Sequence, residues 1–374
     1  MRLKSFKKKL LLIRPKGALG GVLTWSQKVA KALMHEGFDI KIYKCNDSVS
    51  PLIFSNASDL IRHIRGEPHD YNAVLYFGSL ALIGSFIDKI IGKPIIVFVS
   101  GHPYYEYHKA LVKKDPKLKV GTAISLSQLK MMTLIDHVDL WVCHTRTVCD
   151  DELKLNNFNK RYAILRQFVL NEEIEEYSEV LKEIQEIVTL SKNQGSKDVT
   201  IFTYLSYADL PGLKREELLR IFRIINKRTQ KRVKFTIIDP RLRKVELIND
   251  NIVVIGRLPR STYLKALAMS DLFVEITIDE ELRLTALDAA LLGVPIAKLV
   301  APRFLGREDY SRDEVVISTN LREFISNVVE YINKIEYYKP LYSKGVYSFI
   351  IRKRRWEAVR EPFTSLLMTS LEYY

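Results

Sequence analysis

Cysteine is scarce in this sequence: Cys45, Cys143 and Cys149 are the only three in 374 residues, and none sits in a C-x-x-C pair. Such a set makes no disulfide framework and implies a reducing, intracellular setting. Long apolar runs are also missing. The longest, Ala73 to Ile87, breaks at Asp88, which argues against a membrane span. The start, MRLKSFKKKLLLIRPK, is basic and then apolar, but Leu10 to Ile13 is far too short for a signal-peptide core and reads as a first strand. There is no Asp-x-Asp pair, no His/Cys cluster with ligand spacing, no internal repeat and no low-complexity tract. Metal independence, the absence of a cofactor and a cytoplasmic location are the resulting expectations.

What is abundant is positive charge. Fifty-eight Lys and Arg against 44 Asp and Glu give a formal charge of +14, which favours anionic partners: nucleotides, phosphosugars, nucleic acid or an acidic membrane surface. No nucleic-acid motif accompanies it, so no nucleic acid is expected as partner. The clusters Lys4, Lys7, Lys8, Lys9 and Arg352, Lys353, Arg354, Arg355 would form one basic face toward anionic lipid if the tail returns to the start of the chain. At 374 residues, 47% hydrophobic, the chain suits two domains.

Along the first half, strand and helix patterns alternate. Leu10 to Ile13 is a strand, a turn containing Gly20-Gly21 follows, a helix runs from about Thr24 to His35, and Phe38 to Tyr43 is a strand. This is a βαβ unit in which the Gly-Gly pair lets backbone approach a ligand. Ala73 to Phe77 is a strand, Leu80 to Ile91 a helix and Pro94 to Val99 a strand, with no period-2 alternation, as suits a parallel sheet covered on both faces. His102 follows that last strand, where open α/β sheets place their ligands, with His108 as runner-up. Leu126 to Ile135 and Val148 to Leu155 read as helices around a strand at Val138 to Cys143, and Ala163 to Arg166 is a further strand. Residues 1–170 thus form a first Rossmann-like domain.

An acidic amphipathic helix, Glu172 to Leu190, and a polar linker form a hinge over 171–198. A second βα run occupies 199–340: strands at Val199 to Tyr204, Val233 to Ile238, Ile252 to Ile255, Ser270 to Val274 and Ile296 to Val300, with helices at Arg215 to Lys227, Thr262 to Met269 and Leu321 to Ile335. The remainder, 341–374, is a helical tail.

The second run is organised around Glu280 to Ala297, E-E-L-R-L-T-A-L-D-A-A-L-L-G-V-P-I-A. Leu284, Leu287, Leu291 and Leu292 fall at helical spacing before Gly293 and Pro295. Glu280 and Asp288 are separated by about 800° of helical rotation, so both carboxylates share a face. A helix starting near Arg283 or Leu284 would turn its first amides toward the same space and form an anion site. Carboxylates for sugar hydroxyls beside amides for a phosphate describe a nucleotide-sugar site.

This stretch resembles the family 4 glycosyltransferases of the GT-B fold, whose pattern is E-G-F-G-L-x-x-x-E-A-x-A-x-G-x-P-V. Glu280, Gly293 and Pro295 match; Asp288 replaces the second Glu, and Glu281 and Arg283 replace two glycines. The resemblance extends in order over nearly the whole chain. It implies two doubly wound parallel-sheet domains facing a central cleft, with the C-terminal helix crossing back to the first domain. It implies a retaining glycosyltransferase that takes its sugar from a nucleotide diphosphate donor and passes it to a glycan, a lipid-linked or another hydroxyl acceptor.

Residue by residue, the resemblance gives His102, Glu280 and Lys214 catalytic roles. Donor contacts fall to Gly20 and Gly21, to the Gly256-Arg257-Leu258 turn that faces the nucleobase, to Arg283 and Leu284 at the helix start, and to Asp288 at the ribose. The cation that partners Lys214 in the family falls at Asp209 here, so one charge is missing or supplied elsewhere. Trp356, in the tail's basic helix, is implied to be a packing residue. Two rivals share these features: a degenerate nucleotide-binding protein without turnover, and a GT-B epimerase or sugar-phosphate synthase.

Overall fold

A computed structural model of the chain describes residues 8–15, 21–45, 71–77, 85–90, 92–99, 101–113, 116–191, 198–205, 215–240, 242–277 and 280–372. The chain divides into two compact units, Met1–Arg166 with Val359–Tyr374, and Gln167–Ala358. Among the described residues no helix is long and apolar enough to cross a membrane.

The first unit is built on β1 (Lys9–Pro15), β2 (Asp39–Cys45), β3 (Ala73–Phe77), β4 (Ile95–Val99), β5 (Leu140–Cys143) and β6 (Tyr162–Ile164). They pair in parallel in the order β2-β1-β3-β4-β5-β6. The chain winds from β1 to β2 and then returns to the other side of β1, so the sheet's topological switch point lies between β1 and β3. Every residue of β3 and β4 is buried, which explains why these strands show no alternation. Helix α1 (Gly21–His35) begins three residues before its apolar periodicity does, and buries Trp25, Val29, Ala30 and Leu33. Helix α2 (Ser85–Ile90) carries Asp88, whose carboxylate accepts the hydroxyls of Tyr71 and Tyr76. The charge that interrupts the apolar run therefore pins α2 to β3.

Helices α3 (Pro103–Lys113) and α4 (Pro116–Leu134) follow β4, and α4 begins ten residues earlier than its sequence pattern suggests. The helix expected over Val148 to Leu155 is instead a π turn, Thr147–Glu152, and a 3₁₀ turn, Leu155–Phe158. Left-handed φ at Lys154 (57°) interrupts any continuous helix there. The thiol expectation is also corrected. Cys143, ending β5, is joined to Cys149 of the π turn by a disulfide with Cα atoms 5.9 Å apart, and both residues are wholly buried. The tight turn out of the strand folds the two side chains onto each other, which no spacing rule anticipates. The inference of a reducing compartment loses its support.

The second unit holds β7 (Val199–Tyr204), β8 (Val233–Ile238), β9 (Glu246–Asn249), β10 (Ile252–Ile255), β11 (Leu272–Ile276), β12 (Ile296–Leu299) and β13 (Val316–Ser318), in the order β13-β12-β11-β7-β8-β10-β9. All pairs are parallel except that of β9, an antiparallel edge strand with alternating exposure. Its switch point lies between β7 and β11. Around the sheet lie α5 (Asn171–Ser191), α6 (Arg215–Arg228), α7 (Arg260–Ala268), α8 (Leu284–Leu291), α9 (Leu321–Asn333) and α10 (Ile335–Lys353). Asn320 caps α9 by accepting the amide of Glu323 at 2.9 Å. The short α11 (Trp356–Val359) follows, with Trp356 buried 4.8 Å from the Phe168 ring. The last helix, α12 (Glu361–Glu372), belongs to the first unit and packs on β5 and β6, placing Phe363 5.5 Å from Phe98.

Candidate active site

In the second unit, β11 runs out at Ile276 and the chain reaches α8 through a segment that carries Glu280 to Arg283. That segment lies at the carboxyl end of a switch-point strand. Helix α8 starts at Leu284, as the spacing predicts, with Arg283 at the N-cap in extended conformation and no side-chain cap. Gly293 closes the helix with φ at +67°, a conformation that costs other residues energy, and Val294 N–H returns to the carbonyl of Ala289.

Glu280 is wholly buried, and two charged anchors hold its segment. The first is Lys298 on β12, opposite Glu275 on β11 in the sheet register. Its ammonium donates to Glu275 Oε1 (3.0 Å), Thr277 Oγ1 (2.6 Å) and the carbonyl of Glu281 (2.7 Å). Three donors meet three acceptors, so a lysine with no solvent exposure is satisfied. The second anchor is Arg354. Its Nη1 donates to Glu281 Oε1 and to the carbonyl of Gln167 (3.0 Å), and its Nη2 to Asp309 Oδ1 (2.7 Å). Glu281, which stands where the resembling family has glycine, is thus half of a buried ion pair. Arg283, the other substitution, lies 3.9 Å from the Glu275 carboxylate.

Asp288 is not a bare carboxylate. Arg260 of α7 grips it with both Nη atoms, at 2.6 and 2.9 Å, and the Tyr177 hydroxyl of α5 donates to its Oδ1. Tyr177 and Tyr263 flank the guanidinium at 5.6 and 5.7 Å from their ring centres. Burial and the adjacent Asp288 charge push the Tyr177 phenol well above its ordinary range. The linker helix reaches Asp288 through a tyrosine that no motif singles out. The Gly256-Arg257-Leu258 turn follows β10, with Arg257 exposed. A Cβ on Gly256 would lie 2.4 Å from the Leu242 carbonyl oxygen, so close backbone approach requires glycine there.

In the first unit, His102 lies between β4 and α3 and is buried. Its Nδ1 is 2.8 Å from Glu152 Oε1, and the other oxygen of that carboxylate accepts the amide of Tyr104 at 3.0 Å. A carboxylate on Nδ1 fixes the ring and selects the tautomer that carries its proton there. The His144 ring stands edge-on at 5.2 Å. Glu152 escaped the sequence reading because it ends a run of three acids, with nothing to rank it above its neighbours. His108, on α3, is exposed and contacts Tyr104. Gly21 opens α1; Gly20, Lys214 and Asp209 lie outside the described residues.

Within the basic run 352–355, Arg352 and Lys353 are exposed and Arg354 is buried. Arg352 pairs with Glu314 at 2.6 Å, Lys353 donates to the Asp309 carbonyl, Arg354 is wholly buried, and Arg355 donates to Asn171 at 2.8 Å. Neighbouring acids and carbonyls, distant in sequence, satisfy these charges.

No family model matches the sequence, and no curated protein matches it by sequence. Solved structures do match along nearly the whole chain. A sucrose-phosphate synthase from Thermosynechococcus elongatus is 10% identical with a TM-score of 0.68, over 98% of this chain and 100% of that one. An α,α-trehalose 6-phosphate synthase from Burkholderia multivorans is 10% identical with a TM-score of 0.65, over 98% and 100%. Anabaena HepE, in complex with UDP and glucose, is 10% identical with a TM-score of 0.63, over 97% and 100%. At this identity the likeness is one of fold. The chain has the GT-B fold, two Rossmann-like parallel-sheet domains.

Proposed function

We propose that the protein is a glycosyltransferase resembling family 4, which moves a sugar, with retention, from a nucleoside diphosphate donor to a hydroxyl acceptor. One observation carries this reading: a buried glutamate, Glu280, at the carboxyl end of a switch-point strand, whose neighbour Glu281 is held by Lys298 and Arg354 just before an uncapped helix start. In this reading Glu280 binds donor-sugar hydroxyls, and the first amides of α8 meet the diphosphate as charge develops on it. The Gly256-Arg257-Leu258 turn faces the nucleobase, and Asp288 lies at the ribose. His102, held by Glu152, is the candidate catalytic group within the first unit. Because HepE was solved with UDP and glucose, uridine diphosphate sugars are the donors to try first. No metal or cofactor is required in this scheme, and retention rests on the family 4 resemblance.

A second reading, nucleotide binding without turnover, is favoured by Asp288. Three of the roughly four acceptor directions of a carboxylate are already taken by Arg260 and Tyr177, which leaves about one for a ribose diol. Turnover of a nucleotide-sugar panel, with and without acceptors, separates the two. Glu280→Gln is expected to keep the wild-type melting temperature and lose at least about tenfold in turnover, the share of one charge-assisted hydrogen bond. Unchanged activity in a folded Glu280→Gln variant would sink the assignment.

A further inference from the structure

Cys143 ends β5, and the strand register sets it beside Val99, the last residue of β4. His102 comes just after Val99, so the Cys143–Cys149 bond and the candidate catalytic histidine leave neighbouring strands at the same end of one sheet. His144 lies inside the loop that the bond closes, and its ring stands edge-on to that of His102 at 5.2 Å. Glu152, which ends the π turn that contains Cys149, holds His102 Nδ1 at 2.8 Å. Two of the groups that meet the His102 ring therefore hang from the disulfide loop.

The backbone around the bond is not one the chain adopts readily. Isolated π turns are rare and recur at functional sites. This one closes through the Leu153 amide, which donates to the Val148 carbonyl at 2.9 Å. Lys154 follows with a left-handed φ of 57°, a conformation that costs a residue with a Cβ. Lys130 of α4 donates to the Glu152 carbonyl, and residues 156–159 beyond it are exposed. A link across six residues removes less entropy from the unfolded chain than a long-range one would. Its main effect is local: it fixes the path of the chain out of β5. Both sulfurs are wholly buried, so a reductant reaches them when this segment opens locally, which costs less than unfolding the sheet.

We propose that the Cys143–Cys149 bond is a redox-sensitive clamp that holds Glu152 on His102. Closed, it fixes the ring and its tautomer; opened, it lets the turn relax and the carboxylate leave the ring. Opening is a two-electron reduction by a dithiol. A thiolate of the dithiol attacks one sulfur, and its second thiol resolves the mixed disulfide. Cys143 and Cys149 end as thiols with one proton each, and the dithiol departs as its own disulfide. Glu152 is thereby a positioning residue under covalent control. The clamp stands on the geometry alone, whereas its effect on turnover rests on the transferase reading.

Nitrogen NMR of the His102 ring in the full-length protein tests the clamp, in a Cys45→Ser background that leaves a single cysteine pair. The tautomer protonated on Nδ1 is expected to dominate in the oxidised protein. Dithiothreitol should release both thiols, counted by alkylation and mass spectrometry, and move the ring signals toward those of Glu152→Ala. Reoxidation with oxidised glutathione should restore them, which separates a switch from unfolding. In Glu152→Ala itself, reduction should leave the His102 signals in place, because two changes that act through one contact are not additive. Cys143→Ala with Cys149→Ala should reproduce the reduced signals, and reduction of the intact pair remains the test if that variant does not fold. Turnover of nucleotide-sugar donors is expected to fall at least about tenfold on reduction and to recover on reoxidation.

Release of both thiols with unmoved His102 signals overturns the proposal, as does an equal shift on reduction in Glu152→Ala. A bond that dithiothreitol opens only above the unfolding transition overturns it too, and makes the disulfide a structural staple. A reversible shift in a protein without turnover in either state would keep the clamp and remove only the transferase reading. Turnover indifferent to a shift that does occur would keep the clamp and take the catalytic role from His102.

Discussion

Lys298 and Arg354 in the second unit and Arg14 in the first are all buried cations, but their surroundings differ. Lys298 meets three acceptors and the Nη atoms of Arg354 are gripped by Glu281, Asp309 and a carbonyl, while among the described residues no acceptor meets the Nε of Arg354 or of Arg14. The first two are built into the architecture, where they hold the Glu280 segment and the end of α10. Such charges stabilise only as pairs, since removing one member strands the other in a medium that solvates it poorly.

The strongest way to break this contrast is Arg354→Met. It leaves Glu281 buried without its cation, and a loss of about 3–5 kcal/mol is expected in urea unfolding. Arg14→Gln should show no comparable loss, and equal destabilisation by the two variants would erase the distinction. Asp288→Ala comes next. Arg260 is half-exposed and returns to water, but the Tyr177 hydroxyl is left buried with less to bond, so a cost of about 1–3 kcal/mol is expected. A variant as stable as wild type would make Asp288 a ligand residue first and a structural one second.

The smallest effect concerns His137, whose ring Nε2 lies 2.9 Å from the Ser85 hydroxyl in the first unit. Burial lowers its pKa, opposed next by a hydrogen bond with the Ser85 backbone, with smaller effects from the Lys89 charge, which lowers it, and Asp139, which raises it. The unfolded chain therefore binds a proton at this site more readily than the folded one. Its contribution is fully present above the unfolded value of about 6.5 and is lost as pH falls through the lower folded value. Unfolding midpoints across that window should decline less steeply in His137→Asn than in wild type; parallel curves would show that other groups dominate.

Much of the scaffold is legible in the sequence because buried parallel strands and amphipathic helices announce themselves in apolar runs and periods. β3, β7 and β8 fall where the runs place them, and α8 begins at Leu284 as its leucine spacing requires. The Thr147–Glu152 turn reads as helix because of its apolar content, and β9 leaves no signal because an edge strand with one wet face has no strong pattern. In the candidate site, Glu280 and Asp288 stand out by spacing. Tyr177, Arg260, Lys298 and Glu152 do not, although Glu275 and Lys298 inside apolar strands carried a signal: a charge there needs a partner.

The amino-acid sequence by itself determined the alternation of strands and helices, the two βα runs, and the turn chemistry at Gly293 and Pro295, because each depends on interactions within a few residues. Only the tertiary structure decided which charges are spent on one another. Arg354 reads as one of four consecutive surface cations and is wholly buried against Glu281, 73 residues away. Cys143 and Cys149 read as separate thiols and are joined. The physical reason is common to both: burial and pairing are properties of neighbours in space, and a side chain changes from a solvated group to a structural one according to what the fold sets against it.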